Sequence, residues 1–498
     1  MNGKSCIKHI IILLVISAAI GIYLICRTFI IAKDSVTFIE YARNFEIEPT
    51  ETMMNQYQHP GYPFLILAAH KVAEAFYKTG SVLSWVYSAQ FVTLLFRLLS
   101  ITVLYLLGRD LVGPGHSFQA MLILLFLPDP ARLGSDALSD WPNFFFLATG
   151  FWLLFRAAKK QKWWIFGLVG FFSGMGYLVR PESAQLIVVG SLWLIAQVFS
   201  GTKVISKRKT GLALASLVIG FLIVAGPYMN LKGAVFPKKQ VGKFVSARQA
   251  IDNNKLQHRL SSNRHYAAAL APTNIIRAFG KLAERISEIL MWFFVLPWLI
   301  GLYKYLKKHR WLDTEKFLIT VLIGLNSALM LWLYCKHGYM SRRHVLPIVL
   351  VTIFYLPAGL EIMAGWLAAK FEKYKKIDSN FCFTTLLIVG ICICIPKLIR
   401  PVRANKRNFL DAANWLAENT NANDIVAVPD MRISFYAGRQ GIQYADQTIP
   451  KEAEYAVKVF ENEKDTLTAQ EKSAAEILFS NKDKDGKSGI IIYRNPLD

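Results

Sequence analysis

The chain has 498 residues, of which 54% are hydrophobic and 18% are charged, and its mean hydropathy is +0.33. Charged residues make up roughly 25% of an ordinary soluble domain, so this composition argues against a soluble protein and favours a polytopic membrane protein. The net charge of +23 does not by itself indicate a nucleic-acid partner, because basic residues in membrane proteins concentrate in the cytoplasmic loops. We therefore expect membrane lipids, and no nucleic acid, among its partners.

Eleven apolar runs predict transmembrane helices, because about 20 apolar residues are needed to cross the hydrocarbon core. The runs lie at about 11–30, 84–108, 117–128, 141–155, 163–179, 184–200, 211–230, 287–303, 317–335, 345–368 and 382–397. A further segment at 63–79 has apolar residues at helical spacing and a polar side, which predicts a helix lying in the membrane interface. A short tilted span also fits this segment, and it would move every later loop to the other side.

The distribution of Lys and Arg predicts the orientation. With Lys4 and Lys8 in the cytoplasm, the short loops on that side carry roughly twice as many basic residues as those on the other side. We therefore expect a multi-pass protein of the plasma or inner membrane, with a cytoplasmic N-terminus and long outer loops at 32–83 and 231–285.

A change in composition after Pro401 predicts two domains. Residues 1–401 form the membrane domain, and residues 402–498 contain no run long enough to cross a bilayer. An odd number of spans places this soluble α/β domain on the extracytoplasmic side, where we expect it to help recognise a substrate. Its predicted elements are a helix at 411–418, strands at 425–428 and 490–493, and helical sequence at 451–478.

Acidic and basic residues converge on the predicted outer face. Asp34 directly follows the first apolar run, and a carboxylate at the foot of a transmembrane helix is costly to keep near lipid. It is therefore a functional candidate. The other candidates on this face are His59, Tyr62, Asp136, Asp140, Arg180, Glu182, Arg342 and Arg343.

These residues stand in motifs that resemble those of GT-C-fold glycosyltransferases. The similarity is to glycosyltransferase family 39, the group that includes protein O-mannosyltransferases and aminoarabinose transferases of lipid A. The motifs are Asp34-x-x-x-Phe38, His59-Pro60-x-Tyr62-Pro63, Ser135-Asp136-Ala137-Leu138-Ser139-Asp140, Leu178-Val179-Arg180-Pro181-Glu182 and Arg343-His344-Val345-Leu346-Pro347. The chain departs from the family at Ser35, where many relatives carry a second acid, and at Asp140, where many carry Glu.

The resemblance implies a GT-C-like catalytic domain that transfers a sugar from a polyprenyl-phosphate-linked donor to an extracytoplasmic glycan, lipid or protein. Asp34 would be the general base of an inverting displacement, although Asp at this position also suits the N-terminus of a helix. Arg180, Arg342 and Arg343 would bind the donor phosphate. Snorkelling to lipid headgroups also fits Arg342 and Arg343, and a local ion pair also fits Arg180.

The remaining candidates would position the substrate. Asp136 and Asp140 are four residues apart and would share one face of a helix. Two carboxylates without a nearby histidine indicate a divalent cation only weakly, so no metal ligand or cofactor is assigned and a divalent cation stays open. His59, Tyr62 and Glu182 would contact donor or acceptor, while the His59-Pro60 pair also fits a simple turn.

Two other classes of protein also fit a polytopic chain. A transporter or flippase of lipid-linked saccharides would show broken helices and midplane charges in two related halves. A membrane scaffold would use its outer domain to bind a partner. The acids of this chain lie in the outer loops and its two halves do not resemble each other, so the sequence favours a transferase.

Overall fold

The computed structural model describes residues 3–76, 80–199, 206–233, 272–308, 313–371, 378–444, 449–460, 476–482 and 489–495. The helices are α1 (Gly3–Cys26), α2 (Lys33–Ile47), α3 (Pro49–Asn55), α4 (Gly61–Phe76), α5 (Val82–Val112), α6 (Pro114–Phe126), α7 (Pro128–Leu133), α8 (Asp140–Lys160), α9 (Trp163–Val179), α10 (Gln185–Phe199), α11 (Lys207–Lys232), α12 (Pro272–Ile289), α13 (Val295–Lys308), α14 (Thr314–His337), α15 (Arg342–Thr352), α16 (Leu356–Phe371), α17 (Ser379–Leu398), α18 (Arg407–Asn419) and α19 (Met431–Ala437). Short 3₁₀ turns lie at Pro181–Ala184, Ile353–Tyr355 and Ala404–Lys406.

The helical part of the molecule is a multi-pass membrane bundle. Seven helices in the described part of the chain are long and apolar enough to cross a membrane, and shorter apolar helices lie at Pro114–Phe126 and Trp163–Val179. Nine of the eleven predicted apolar runs each coincide with one helix, and the run at 345–368 covers α15, the 3₁₀ turn at Ile353–Tyr355 and α16, which together form one candidate span. The polytopic helical fold expected from the sequence is therefore confirmed. Of the predicted outer loop at 231–285, residues 234–271 lie outside the described residues.

The predicted run at 287–303 is wrong as a single helix. The chain turns between α12 and α13, where Met291 and Trp292 have positive φ angles of 53° and 60°. Pro297 explains the position of the break. Proline has no N–H to donate, and the interruption places Pro297 in the first turn of α13, where no intrahelical donor is needed.

The segment predicted to lie in the interface is α4, with residues 77–79 outside the described part. Its Phe64, Val72 and Phe76 are exposed, while Ile66 and His70 are buried. One face of α4 therefore packs on the bundle and the other presents large apolar side chains, as an interfacial helix requires.

The two ends of the bundle differ in their charged residues. Near the C-terminal end of α8, Arg156 pairs with Asp110 at 3.0 Å, and Lys159 pairs with Glu315 at 2.7 Å. Asp140 begins α8 at the other end, about 30 Å away for a helix of this length. The acidic candidates and the basic loops predicted to be cytoplasmic thus lie at opposite ends of the molecule.

The C-terminal residues form a small domain around a five-stranded sheet of order β2-β1-β3-β5-β4. The strands are β1 (Ile425–Val428), β2 (Gln440–Gln443), β3 (Tyr455–Phe460), β4 (Ile477–Lys482) and β5 (Gly489–Arg494). β1 pairs in parallel with β2 and β3, while β5 pairs antiparallel with β3 and β4. The two predicted strands are present. The helical prediction at 451–478 is wrong where β3 and β4 lie, because both strands pair antiparallel with the buried strand β5; residues 461–475 lie outside the described part.

Helices α9 and α11 pack so closely that their backbones touch. A Cβ atom on Gly220 would overlap the carbonyl oxygen of Gly167, and one on Gly170 would overlap that of Leu217. Close contact of this kind between helices in lipid depends on residues without side chains. It fixes the end of α9, from which Arg180 extends.

We predict that Gly220→Val destabilises the protein and that Gly211→Val does not. Both glycines lie on α11, but a Cβ on Gly211 meets no atom within 4 Å. Overpacking of a closed interface costs about 1–3 kcal/mol, occasionally more. Thermal unfolding of the two purified variants in detergent measures the difference, and equal midpoints would contradict the close packing of α9 on α11.

Candidate active site

The predicted acids and arginines meet in a row of alternating charges. Asp34 accepts a hydrogen bond from Arg343 at 2.8 Å, and Arg343 Nε lies 3.7 Å from Asp140. Asp140 also accepts from Arg180 at 2.6 Å, and Arg180 continues to Glu182 at 3.3 Å. Asp140 is fully buried, whereas the side chain of Asp34 is 51% exposed. Four separate segments of the chain thus bring five predicted residues together.

Each of these side chains extends from the end of a helix. Asp34 lies in the first turn of α2, Asp140 begins α8, Arg343 lies in the first turn of α15, and Arg180 ends α9. Asp34 is not the N-cap of α2, because that residue is Ala32 and no side chain caps the helix, but its place in the first turn does suit the helix dipole. The carboxylate is held by Arg343 instead.

A polar cavity of about 530 Å³ opens beside this row. Asp34, Arg180, Glu182 and Arg343 line it, and so does His59. Its other lining residues, which include ones the sequence motifs did not single out, are Phe38, Tyr57, Gln58, Ser139, Val179 and Pro181. The cavity is large enough for a monosaccharide and offers donors and acceptors on several sides.

An apolar cavity of about 580 Å³ adjoins the polar one. Val179 lines both cavities, and Pro60 lines the apolar cavity directly after His59. The wall is otherwise made mostly of aliphatic and aromatic residues from α2, α3, α4, α9 and α11. The pair of cavities can accommodate an amphipathic molecule whose polar end faces Asp34.

His59 separates the two environments and is uncharged. It packs edge-on against Tyr177, with ring centroids 4.9 Å apart, and lies 5.3 Å from the ring of Tyr228. Burial lowers the pKa of His59 to about 4, and attraction to Glu182 offsets this only in part. Its Nδ1 is buried and has no hydrogen-bond partner within the described residues.

Asp136 is close to the row but has a different environment. It is 2% exposed, and its Oδ1 accepts hydrogen bonds from the backbone of Ala32 at 3.1 Å and from Ser35 at 3.4 Å. Its Oδ2 accepts a hydrogen bond from Arg403. The prediction that Asp136 and Asp140 share a helix face is wrong, because α8 begins only at Asp140. Asp136 fixes the segment that carries Asp34.

The contact with Asp136 also explains why this chain has Ser35 at a position where many family 39 sequences have an acidic residue. This residue is fully buried and its hydroxyl points at a carboxylate. A second acid at this position, as in many family 39 sequences, would place another carboxylate beside Asp136, whose partner Arg403 is already engaged. Serine donates a hydrogen bond there instead.

Besides Asp136 and Asp140, two further predicted residues do not line the polar cavity. Tyr62 is fully buried, where its hydroxyl bonds to Thr93 at 2.8 Å and donates to the Ala89 carbonyl at 3.1 Å. Its ring packs on Phe38, which does line the cavity, at 5.1 Å. Arg342 extends the other way and lies 3.2 Å from Asp129.

The C-terminal domain holds the segment before Asp34, which the sequence did not indicate. The backbone N–H of Ile31 donates to the hydroxyl of Tyr436 at 3.2 Å, and Arg432 donates to the Ile31 carbonyl at 3.3 Å. Arg403 donates to the Ile30 carbonyl at 3.1 Å, and the Ile30 side chain is buried in the core of the C-terminal domain. Every one of these partners is more than 360 positions away from the segment that it contacts, so local sequence patterns do not reveal the contacts.

The carboxylates of the site do not fit a divalent cation. Asp34 and Asp140 are each paired with arginine. Across the residues that the structure describes, no group of three or more His, Cys, Asp or Glu side chains could hold a metal ion. We assign no step to a metal.

Comparison with known proteins agrees with this architecture. The family model for dolichyl-phosphate-mannose-protein mannosyltransferases matches residues 72–228. A comparison of the sequence with curated proteins found no match.

Solved structures share the fold across nearly the whole chain. ArnT from Cupriavidus metallidurans bound to undecaprenyl phosphate is 12% identical, with a TM-score of 0.57 over 99% of this chain and 98% of that one. The oligosaccharyltransferase AglB from Archaeoglobus fulgidus, in complex with an inhibitory peptide and a dolichol-phosphate, is 13% identical, with a TM-score of 0.57 over 99% of this chain and 75% of that one. The protein therefore has the GT-C fold of membrane glycosyltransferases, and the resemblance read from its motifs is confirmed.

We predict that Tyr436→Phe loosens the segment before Asp34, whereas Tyr444→Phe does not. Each variant removes one phenol hydroxyl of the same domain, but Tyr444 donates to Val457 within that domain at 2.6 Å, and only Tyr436 reaches Ile31. Hydrogen exchange in peptides covering residues 27–36 should become severalfold faster in the first variant, because the Ile31 amide loses its acceptor. Equal exchange in both variants would show that the domain does not restrain this segment.

We predict that His59 makes the protein less stable in acid. Its folded pKa of about 4 lies below the unfolded value near 6.5, so the unfolded chain binds the proton first as pH falls. The stability linked to His59 is complete above about pH 6.5 and is lost toward about pH 4, by up to about 3 kcal/mol. Thermal unfolding between these values should show a shallower decline in His59→Gln than in wild type or His116→Gln. Parallel curves for all three proteins would refute the prediction.

Proposed function

We propose that this protein is an inverting glycosyltransferase that moves one sugar from a polyprenyl-phosphate-linked donor to an extracytoplasmic acceptor. The observation that carries the proposal is the junction of the apolar and polar cavities beside Asp34, Arg180 and Arg343. The apolar cavity suits a prenyl chain, and the polar one suits a sugar. Two structures of similar fold are complexes with dolichol-phosphate and undecaprenyl phosphate, which supports this class of donor.

The arginines at the junction suit the leaving phosphate. As the bond from the anomeric carbon to the phosphate oxygen breaks, the lipid phosphate gains negative charge. Arg180 and Arg343 line the cavity where this charge develops, and a guanidinium offers several fixed donors and does not lose its proton. Asp140 and Glu182 each form an ion pair with Arg180, so the orientation of its guanidinium is set before the donor binds.

Asp34 suits the role of base. It is the exposed carboxylate of the row, so an acceptor hydroxyl can reach it, and its ion pair with Arg343 holds it at the edge of the cavity. The acceptor oxygen forms the new bond at the anomeric carbon while its proton passes to Asp34. A single displacement of this kind inverts the configuration. His59 is neutral and can hydrogen-bond to the sugar through Nδ1.

The proposal includes the orientation of the chain. The basic loops, with Arg156 and Lys159, lie at the end of the bundle opposite to Asp140, as the positive-inside rule requires of a cytoplasmic end. We therefore place the site and the domain at 402–498 outside the cytoplasm. The membrane domain at 1–401 carries the chemistry.

The test is sugar transfer in proteoliposomes by wild type, Asp34→Asn and Glu51→Gln. Glu51 is an exposed carboxylate on the neighbouring helix α3 and serves as the matched control. A panel of radiolabelled polyprenyl-phosphate monosaccharides is the donor, and a cell-envelope fraction is the acceptor. We expect Asp34→Asn to lose about 10²–10⁴-fold in rate with donor binding retained, as removal of a general base does, and Glu51→Gln to be unaffected.

Three outcomes would contradict the proposal. Undiminished transfer by Asp34→Asn would remove this residue as the base. Retained anomeric configuration in the product would exclude a single displacement. Movement of an unaltered lipid-linked sugar across the vesicle membrane, with no transfer by any variant, would identify a flippase instead.

A further inference from the structure

A third cavity shares Arg343 with the polar cavity and shares no lining residue with the apolar one. It has a volume of about 310 Å³, and four arginines line it: Arg132, Arg342, Arg343 and Arg403. Arg343 also lines the polar cavity beside Asp34, so the two polar cavities are neighbours. Ser341 completes the polar wall.

The positive charge of this cavity is only partly balanced. Its carboxylates are Asp129 and Asp136, and Asp136 is already occupied by Arg403 and by backbone donors. Asp129 lies within 3.2 Å of Arg342 and 3.5 Å of Lys397, so it is shared between two cations. Burial lowers the pKa of Arg132, and repulsion from Arg342 and Arg403 contributes despite the nearby Asp129.

Hydrogen-bond donors in the wall are also left without protein partners. Arg132 Nε and Ser341 Oγ are buried and have no hydrogen-bond partner within the described ranges. Arg132 cannot turn freely to find one, because its Nη2 donates to the carbonyls of Lys397 at 2.6 Å and Arg400 at 3.1 Å. A buried donor without an acceptor costs about 1–3 kcal/mol, which a bound anion would recover.

We propose that this cavity binds a phosphate group of the acceptor substrate. The proposal rests on the transferase function and specifies the chemistry of its acceptor. A phosphate presents oxygens in several directions, which suits guanidinium and hydroxyl donors arranged around a cavity. Because Arg343 lies between this cavity and Asp34, a phosphate held here would place a neighbouring acceptor hydroxyl beside the base.

The position of the cavity separates it from the donor phosphate. A donor phosphate is bonded directly to the prenyl chain and must stay at the mouth of the apolar cavity. The apolar cavity shares Val179 with the cavity that contains Asp34, but it shares no lining residue with the arginine-lined cavity. The two anionic groups would therefore occupy different cavities.

Binding of inorganic phosphate to the purified full-length protein tests the proposal without any need for activity. Thermal unfolding is followed against phosphate concentration, with sodium chloride matching the ionic strength. We expect saturable stabilisation of wild type and of Arg43→Gln, an exposed arginine of α2 that does not line the cavity. Apparent affinity should fall at least tenfold in Arg132→Gln and severalfold in Ser341→Ala, which keeps every arginine. Unchanged affinity in both cavity variants would overturn the proposal.

Competition distinguishes the acceptor from other sources of phosphate. We expect phosphate to bind equally well when the protein is saturated with undecaprenyl phosphate, and equally well in vesicles with and without phosphatidylglycerol. Displacement by undecaprenyl phosphate would make the cavity a donor site, and displacement by phosphatidylglycerol would make it a headgroup site. Either result would overturn the assignment to the acceptor.

Transfer kinetics with the cell-envelope acceptor provide a further test of the proposal. Arg132→Gln should raise the KM for the acceptor about tenfold and leave the KM for the donor unchanged, and phosphatase treatment of the acceptor should abolish the difference between wild type and variant. If transfer occurs without these changes, the acceptor assignment fails while the transferase function stands. If phosphate binds but no sugar is transferred, the transferase function fails.

Discussion

The row of ion pairs from Asp34 to Glu182 is the constraint on which the rest of the site depends. Asp140 is fully buried, and an isolated carboxylate in that environment would cost several kcal/mol. It is stable there because Arg180 and Arg343 reach it from different helices. The arginines are held in turn by Asp34 and Glu182. Since α2, α8, α9 and α15 each contribute a charge, the site forms only when both halves of the bundle are assembled.

A second set of contacts determines the position of Asp34, the exposed carboxylate of that row. The chain leaving the first helix is bonded to Asp136 on one side and to the C-terminal domain on the other, through Arg403 and Tyr436. Ile30 belongs to the hydrophobic core of that domain. The domain therefore positions the candidate base, in addition to any part it plays in recognising an acceptor.

The sequence predicted the elements of the fold that arise from local physics. Apolar runs must form helices in lipid, because backbone polar groups have no other partners there. Asp34, Arg180 and Arg343 could be identified because they lie next to the ends of such runs. The contacts of Tyr62 and Arg403 could not be predicted. Tyr62 has a motif but points into the bundle, and Arg403 has no motif but binds Asp136, 267 positions away. The packing of the helices determines side-chain direction and long-range pairing. The hydrophobic periodicity of the sequence does not reveal this packing.

The placement of Arg343 gives the proposed reaction its geometry. Its guanidinium contacts Asp34 and lines both the sugar-sized cavity and the arginine-lined one. An anion arriving on either side competes with Asp34 for the same donors. On our proposal, the donor phosphate and the acceptor phosphate both draw Arg343 away from the carboxylate, so Asp34 is released from its ion pair when both substrates are bound. The ion pair between Asp34 and Arg343 would thus keep the carboxylate from activating water before an acceptor is present.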